Sequence, residues 1–407
     1  MHLNILLVSI ACPPKKDSES LQVAKYLKYL TKNDRVKLDV ITSRNPTLYM
    51  PYDSSLEPYL NGVRQVVEVP IQEWRYINIF LRKFFPSIMM KPDSKKSFCC
   101  GEERASRQLS QHPDVIYSRS FPLSSTLMAY RLHQKFKCPW VLHLSDPWTI
   151  NPLNSLAPAQ AWNEEMEQRC FSAATVLSFT SDKTLRRYAE IYPDFSHKMM
   201  VFPNVFDSDN IHSNPWKKKE TMKLVYTGGL VGDRTPNILV DALMLLHEMN
   251  REAFSNIEVV LAGETDRLVR KTLNKKPFGI NHVGVLNFDE TVALQAEADV
   301  LLLIDTPTKN SDDAMFFPSK LLDYMLAGRR VFAVTDSKSS TSEVIRRGSL
   351  GDIIDHGDPH TLMNYLVDAV DNWKLSRLEY FSTGNADQNY SAKHQAERLS
   401  TLFESLT

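Results

Sequence analysis

The segment with the most evident chemistry in this sequence is FFPSKLLDYMLAG. Pro318 suits the first helical position and Gly328 suits the position just after a helix, so a short, sharply bounded helix is predicted between them. Its first turn offers unpaired N–H groups at Ser319, and Lys320 adds an ammonium, a combination that attracts phosphate. Asp323 follows one turn later, where a carboxylate can accept hydrogen bonds from ribose hydroxyls. An ordinary amphipathic helix shows the same pattern, so this segment alone leaves both interpretations open.

A second candidate phosphate site is the stretch LVYTGGL and the arginine that follows it. Gly228 and Gly229 come after a predicted strand, where a backbone without a Cβ can approach a ligand closely. Thr235 as cap and Pro236 as first residue predict the start of a helix. Arg234 precedes that helix and could hold a diphosphate in bidentate fashion. The alternative is a plain strand-to-helix turn with an exposed arginine.

A third candidate lies in the first half of the chain, in WVLHLSDPW. Pro147 stops the predicted strand, so Asp146 and Trp148 are expected in a loop at its carboxyl end. A carboxylate or imidazole there could steady an acceptor hydroxyl, or the sugar as positive charge develops at the anomeric carbon. Asp146 is preferred over His143, because a lone histidine in a strand is more often a core residue. Arg119 ends the preceding strand and is expected to line the same region.

The elements that position these groups are short apolar runs alternating with helical patterns. Near-continuous apolar runs are typical of buried parallel strands, and strand–helix–strand repeats indicate a doubly wound α/β domain. Strands are predicted at 4–9, 37–42, 66–69, 114–117, 139–144, 175–179, 223–226, 257–261, 282–285, 300–304, 330–334 and 352–354, and a helix capped by Asp17 or Ser18 at 18–30.

The pattern restarts after a polar, turn-forming stretch near residues 205–221. We therefore predict two Rossmann-like domains, one over residues 1–205 and one over residues 206–385. A last helix, at about 386–407, is expected to pack back on the first domain. Such tandem domains are expected to face each other across a cleft and to bind small molecules there, at the carboxyl ends of the strands.

Composition excludes several classes of protein. The 407 residues carry 48 basic and 48 acidic side chains, so the net charge recruits neither nucleic acid nor membrane. The five cysteines include no CxxC pair, which predicts reduced thiols in a cytoplasmic protein and no zinc site. The first residues lack a basic region and a cleavage site, and no stretch is long enough to span a bilayer.

One segment, residues 74–98, does not follow the alternation of apolar strands and helices, because it is rich in aromatic, methionine and basic residues. A basic amphipathic segment of this kind can lie in the interface of an anionic membrane. Alternatively, its apolar face packs on the domain and its lysines are merely solvated. Both interpretations stay open, and peripheral contact with the inner face of the cell membrane is the first of them.

Taken together, these motifs and their order resemble the family 4 glycosyltransferases, in the branch that assembles bacterial polysaccharides. The donor-binding helix of that family is the most specific match. The pieces that carry the resemblance are the proline loop at 12–14, the D-P-W loop at 146–148, the acidic helix and strand at 164–181, the junction at 202–207, the loops at 261–264 and 283–285, and the helix at 317–328.

The resemblance implies a GT-B fold, a nucleoside-diphosphate sugar as donor, retention of anomeric configuration, and neither an essential metal nor a cofactor. The acceptor it implies is a saccharide or a lipid-linked saccharide in surface or exopolysaccharide synthesis. It casts Arg234 and Lys320 as diphosphate ligands, Asp323 as the ribose ligand and Asp146 as a residue near the sugar. Together with the motifs above, the predicted site residues are Asp146 and His143 for the chemistry, Gly228, Gly229, Arg234, Glu264, Ser319, Lys320 and Asp323 for the donor, and Pro13, Arg119 and Trp148 for the acceptor side.

The chain also departs from the family pattern. Asp323 is one carbon shorter than the usual glutamate, Met315 replaces a second glutamate, and residues 15–18 replace the usual glycines of the first loop. Two alternatives therefore remain: a sugar-nucleotide 2-epimerase of the same fold, and a non-catalytic partner or scaffold protein. A dinucleotide-dependent dehydrogenase is not indicated, because no GxGxxG follows the first strand.

Overall fold

The chain forms two compact units, each built around its own parallel sheet. The structure, a computed structural model, describes residues 2–44, 50–153, 156–207, 209, 219–274, 279–310, 313–378 and 388–407. The N-terminal unit comprises Met1–Asp207 together with Asn389–Thr407, and the C-terminal unit comprises Ser208–Gln388. The α/β class and the Rossmann-like character of both units agree with the prediction.

The N-terminal unit has a seven-stranded sheet in the order β3-β2-β1-β4-β5-β6-β7, and every neighbouring pair is parallel. Its strands are β1 (Leu3–Val8), β2 (Val36–Ser43), β3 (Gln65–Val69), β4 (Val115–Ser120), β5 (Trp140–Leu144), β6 (Val176–Phe179) and β7 (Met199–Val201). The strand order reverses between β1 and β4, which creates a switch point at their carboxyl ends, where such sheets bind ligands.

Helices cover both faces of this sheet. They are α1 (Ser18–Leu30), α2 (Arg75–Phe84), α3 (Pro86–Met89), α4 (Glu102–Gln108), α5 (Ser124–Phe136), α6 (Gln160–Ala173), α7 (Asp182–Ile191) and, from the end of the chain, α15 (Ala392–Ser405). Asp17 caps α1 by accepting a hydrogen bond from the backbone N–H of Ser20 at 2.7 Å. Leu399 and Phe403 of α15 share an apolar core with α1.

The C-terminal unit has a six-stranded parallel sheet in the order β10-β9-β8-β11-β12-β13. Its strands are β8 (Met222–Thr227), β9 (Ile257–Ala262), β10 (Ile280–Gly284), β11 (Val300–Ile304), β12 (Arg330–Val334) and β13 (Gly351–Ile354). Here the order reverses between β8 and β11, so a second switch point lies at the carboxyl ends of these two strands.

The helices of this unit are α8 (Asn237–Met249), α9 (Arg251–Ser255), α10 (Arg267–Asn274), α11 (Phe288–Ala296), α12 (Ser319–Ala327), α13 (Ser340–Gly348) and α14 (Pro359–Lys374). Gly328 ends α12 with φ of 64°, the left-handed conformation expected of a glycine after a helix. Both predicted helix starts shift by one residue, because Pro236 and Pro318 precede the first helical residue and occupy the cap position.

Each strand predicted from the sequence is confirmed, with bounds that differ by at most a few residues. The short edge strand β7 was not predicted, since its Met-Met-Val stretch is too brief to stand out from a loop. On α8, Leu239, Leu243 and Leu246 are buried, whereas Met249 at the helix end is 68% exposed. Within the described ranges, none of the helices combines the length and apolar composition that a bilayer crossing requires.

Candidate functional site

The side chain of Lys320 lies at the switch point of the C-terminal unit, in the first turn of α12. Its Nζ donates a hydrogen bond of 2.9 Å to the hydroxyl of Tyr226 and lies 4.3 Å from the centre of that ring. The Tyr226 hydroxyl in turn donates to the backbone carbonyl of Gly229 at 3.0 Å. These contacts join the end of β8 to the start of α12, two elements that the sequence analysis assigned to the same site.

The ammonium of Lys320 is surrounded by protein, although part of the side chain reaches the surface. Burial lowers its pKa to about 7, repulsion by Arg234 adds to the shift, and Asp305 opposes it. A lysine whose pKa is this low has little water and too little negative charge around its ammonium. An anion bound beside it would favour the charged form.

Arg234 is the second cation of this site. It lies in the loop between β8 and α8, and its Nε is buried without a hydrogen-bond partner among the described atoms. Buried polar groups are normally hydrogen-bonded, so an orphaned guanidinium nitrogen next to another cation indicates a place for an absent anionic partner. Arg234 and Lys320 were predicted from separate motifs, and the structure brings them within electrostatic reach of each other.

The glycines around these cations allow the backbone to pack closely. Gly228 has φ of +127°, and a Cβ at this position would lie 2.4 Å from Nζ of Lys320. Gly263 has φ of +139°, and its Cβ would lie 2.0 Å from the carbonyl oxygen of Gly228. Gly229, by contrast, would bring a Cβ no closer than 4.0 Å to its neighbours. Only the first of the paired glycines is therefore required by space and conformation.

Asp305 is a site residue that sequence reasoning missed. It directly follows β11 and accepts hydrogen bonds from the hydroxyls of Thr335 and Thr341, both at 2.7 Å. Its charge acts on Lys320 and on His356, whose pKa is lowered by burial and partly restored by this carboxylate. The available signal was its position at the carboxyl end of a strand next to the switch point.

The other predicted donor residues are less closely involved with the cation pair. Ser319 opens α12 and is half-buried, and Asp323 is half-buried one turn further on. Glu264 exposes its side chain, while its backbone carbonyl accepts a hydrogen bond of 2.8 Å from the N–H of Leu230. Met315 is 1% exposed and lies inside the unit.

In the N-terminal unit, Asp146 lies in the loop after β5, as predicted. Burial raises the pKa of its carboxyl to about 6, and the negative charge of Glu19 adds to the increase. Asp17 shows the same behaviour: burial raises its pKa to about 6, with Glu19 again contributing. Carboxyl groups that hold protons near neutral pH are suited to accepting or donating a proton.

Arg119 was expected to line the acceptor region, but its side chain is fully buried. Its Nε donates to Glu19 at 2.7 Å, one Nη donates to the Tyr117 hydroxyl at 3.2 Å, and the guanidinium lies 4.9 Å from the ring of Tyr26. Burial opposes the charge, but Glu19 more than offsets it and keeps the pKa of Arg119 above its usual value. Arg119 thus orients Glu19, a residue that sequence reasoning did not select.

His143 is also fully buried. Its Nδ1 pairs with the hydroxyl of Ser178 at 2.9 Å, and its Nε2 has no partner among the described atoms. Burial, with a contribution from Arg119, lowers its pKa well below 6.5, so the ring is neutral at physiological pH. This placement in the core favours the alternative that the sequence analysis gave for His143, a structural histidine.

The remaining predicted acceptor residues, Pro13 and Trp148, are buried in this structure. Trp148 was expected to face a ligand, but only 1% of it is exposed. Its indole Nε1 donates to the side chain of Asn163 at 2.9 Å, and its backbone N–H donates to Tyr188 at 2.7 Å. The indole therefore anchors the loop that carries Asp146. Among the described residues, no cluster of three or more His, Cys, Asp or Glu could hold a metal ion.

Known proteins resemble this chain in structure. No protein-family model and no curated protein sequence matches the chain. Sucrose-phosphate synthase from Thermosynechococcus elongatus superposes with a TM-score of 0.63 at 14% identity, over 100% of this chain and 99% of that one. A trehalose-6-phosphate protein from E. coli with bound UDP-2-fluoro glucose gives 0.65 at 10% identity, over 99% of each chain. The fold is GT-B.

Other GT-B proteins also match. A protein described as a UDP-N-acetylglucosamine 2-epimerase from Listeria monocytogenes gives a TM-score of 0.57 at 12% identity, over 100% of this chain and 96% of that one. Identities this low establish the shared GT-B architecture only, because one fold hosts several reactions.

Proposed function

We propose that this chain is a glycosyltransferase of the hexosyltransferase type. It transfers a sugar from a nucleoside-diphosphate sugar to a saccharide or lipid-linked acceptor, with retention of anomeric configuration. The GT-B fold and the resemblance to family 4 support the proposal. The single observation that carries it is the convergence of Lys320 and Arg234 beside Gly228 at the C-terminal switch point.

The cation pair is suited to a diphosphate. Arg234 has an unsatisfied Nε and Lys320 has a depressed pKa, so both gain when a dianion arrives. The N-terminus of α12 adds backbone N–H groups with a favourable dipole. When the bond from the sugar to the diphosphate breaks, negative charge grows on the leaving phosphate, and these fixed positive groups stabilise it. The transfer we propose needs no metal, because these groups supply the compensation.

Asp146 is the residue we assign to the sugar and the acceptor. The residue is partly exposed and burial raises the pKa of its carboxyl, so it can steady positive charge at the anomeric carbon or hold the acceptor hydroxyl. Glu19, held by Arg119, is a second carboxylate of the same region. The donor residues Gly228, Gly229, Glu264, Ser319 and Asp323 stay assigned to the nucleotide sugar.

For the acceptor we propose a lipid-linked saccharide in the assembly of surface or exopolysaccharide. The protein would then act in the cytoplasm, with peripheral contact at the inner face of the cell membrane, where anionic lipids attract basic segments. This assignment rests on the resemblance to the polysaccharide-assembly branch and on the basic, aromatic segment 74–98.

Two other functions share the fold. A sugar-nucleotide 2-epimerase is one of them, and it would consume a nucleotide sugar without any acceptor. A non-catalytic partner is favoured by the buried Met315, which stands where the family has a glutamate. It would bind nucleotide without turnover, or bind none.

The test is a thermal-shift screen of the purified protein against UDP, GDP, ADP and CDP and their common sugar conjugates. Selective stabilisation by one nucleotide is expected, because a ligand that binds the native state raises the melting temperature by mass action. Lys320→Ala and Arg234→Ala should each lower the affinity for that nucleotide more than tenfold. Lys271→Ala and Arg251→Ala, which remove exposed cations of the same unit, should leave it unchanged. No response to any nucleotide in the wild type would reject the proposal.

A further inference from the structure

Helix α2 presents apolar side chains to solvent along one face. Tyr76, Ile77, Phe80 and Phe84 lie on that face by helical spacing, and they are 84%, 43%, 53% and 57% exposed. Exposed apolar residues elsewhere in the described part of the N-terminal unit are scattered. Single exposed hydrophobics need no explanation, whereas a contiguous group marks an interaction surface.

The exposed group continues beyond α2. The rings of Phe80 and Phe84 are 4.8 Å apart, and those of Phe80 and Phe85 are 6.3 Å apart. Phe85 is 49% exposed, and Ile88 of α3 is 42% exposed. Trp74, just before α2, is 62% exposed. We call residues 74–91 the α2–α3 surface. Its aromatic side chains pack on one another and still face solvent.

The charge of the α2–α3 surface is positive. Between Glu73 and Asp93 the sequence contains no acidic residue. These two flanking carboxylates are engaged elsewhere, since Glu73 accepts from Nζ of Lys95 at 2.7 Å and Asp93 accepts from the N–H of Ser124 at 2.8 Å. The exposed basic side chains of the surface are those of Arg82, Lys83 and Lys91.

We propose that the α2–α3 surface docks on an anionic lipid bilayer. The aromatic and isoleucine side chains would enter the boundary between headgroups and acyl chains. Arg82, on the other side of α2, and Lys83, whose Nζ lies 5.4 Å from the centre of the Phe84 ring, would extend their charged ends to the phosphates. Trp74 suits the same depth, because an indole has an apolar body and a polar N–H. A bilayer satisfies the apolar and basic groups together, which a neutral apolar partner does not.

The surface is connected to the loop that carries Asp146. The side-chain Nδ2 of Asn163 donates to the backbone carbonyl of Met90 at 2.8 Å, and its Oδ1 accepts from the indole of Trp148 at 2.9 Å. Docking would therefore hold this loop beside the bilayer, where a lipid-linked acceptor is found. Docking through this surface deepens the proposed function, on which it rests for the lipid-linked acceptor, and lipid binding can be measured separately from any turnover.

The experiment is co-sedimentation of the full chain with phosphatidylcholine vesicles and with vesicles containing phosphatidylglycerol. The wild type should bind the anionic vesicles, and high salt should weaken binding. Arg82→Ser with Lys83→Ser should reduce partition at least tenfold, since each basic residue near an anionic surface contributes about a fivefold change. Phe80→Ser with Phe84→Ser should abolish stable binding. Trp74 fluorescence should shift to the blue on binding, and Trp74→Phe should remove this shift.

Matched control variants remove exposed apolar or basic side chains from the C-terminal unit instead. Met249→Ser with Leu268→Ser deletes two side chains that are 68% and 75% exposed, and Arg346→Ser with Arg347→Ser deletes two exposed charges. Both controls should bind like the wild type. Failure of the wild type to bind anionic vesicles would overturn the proposal, as would equal binding by the Phe80 and Phe84 double variant. Self-association through this surface, with no vesicle binding, would assign it to a second copy and overturn it too.

Discussion

The ammonium of Lys320 donates a hydrogen bond of 2.9 Å to the hydroxyl of Tyr226 and lies 4.3 Å from the centre of its ring. This lysine has no carboxylate in direct contact among the described residues, so its charge is supported by a neutral hydroxyl and a π face. Burial and repulsion by Arg234 therefore lower its pKa to about 7 with only Asp305 opposing them, and the position suits an anion.

The first prediction concerns the pH dependence of nucleotide binding. The pKa of Lys320 is lowered to about 7 in the ligand-free protein, and a bound diphosphate should raise it. Binding should therefore be accompanied by proton uptake near pH 7, and affinity should fall as pH rises through the pKa of the free lysine. Calorimetry in buffers of different ionisation enthalpy measures this uptake.

Lys320→Arg provides the control, because an arginine stays protonated throughout this range. Its nucleotide binding should lose the part of the proton uptake that comes from residue 320. An identical uptake in the wild type and Lys320→Arg would show that Lys320 does not titrate on binding.

A second prediction separates the two adjacent glycines. Gly228→Ala places a Cβ 2.4 Å from Nζ of Lys320 at φ of +127°, so the lysine and the loop must shift. We expect nucleotide affinity to fall about as far as in Lys320→Ala. Gly229→Ala meets nothing closer than 4.0 Å and should bind normally. Titration of both variants with the nucleotide selected by the screen measures the difference, and equal losses would contradict the geometry.

A third prediction sets stability against activity at Asp146. Its folded pKa of about 6 lies above that of an unfolded aspartate, so the folded state binds the extra proton and stability falls as pH rises between about 4 and 6. Asp146→Asn removes this penalty and should raise the free energy of unfolding at pH 8 by roughly 1–3 kcal/mol. Near pH 4 the two proteins should be equally stable. Sugar transfer should fall at least a hundredfold if Asp146 takes part in the chemistry.

A fourth prediction addresses the buried ion pair of Arg119 and Glu19. Arg119→Met leaves the Glu19 carboxylate without its partner, and breaking such a pair costs about 3–5 kcal/mol. Arg187→Met breaks the pair with Glu190, whose members are 52% and 65% exposed, and should change stability little. Chemical denaturation of both variants measures the contrast. A loss of similar size in the two variants would show that the buried pair contributes no more to the free energy of unfolding than the exposed pair.

The fold could be predicted from the sequence because its strands are buried on both faces. Continuous apolar runs such as VLLLI in β11 indicate a strand covered on both faces. Pro318 and Gly328 mark the two ends of α12. The cation pair was also predictable, since Lys320 and Arg234 each stand next to a helix start that follows a strand-rich pattern. The predicted starts of α8 and α12 were one residue too early, because a proline fits either of two neighbouring positions at a helix start.

The acceptor-side residues were harder to predict, since sequence position does not tell whether a polar side chain points outward or inward. Arg119 and His143 both end up inside the N-terminal unit, where long-range partners satisfy them. Glu19, which shares that region with Asp146, is separated from it by more than a hundred positions in the chain. Asp305 similarly depends on threonines that come from another strand and helix.

Helix α15 completes the core of the N-terminal unit, although it is the last helix of the chain. During synthesis, the apolar face of α1 therefore emerges from the ribosome early and stays uncovered until the entire C-terminal unit has been made. That second unit is contiguous in the chain and can bury its own core first. The nascent protein thus exposes the apolar face of α1 while the C-terminal unit is being made, and this delay favours misassembly or recruitment of a chaperone at α1.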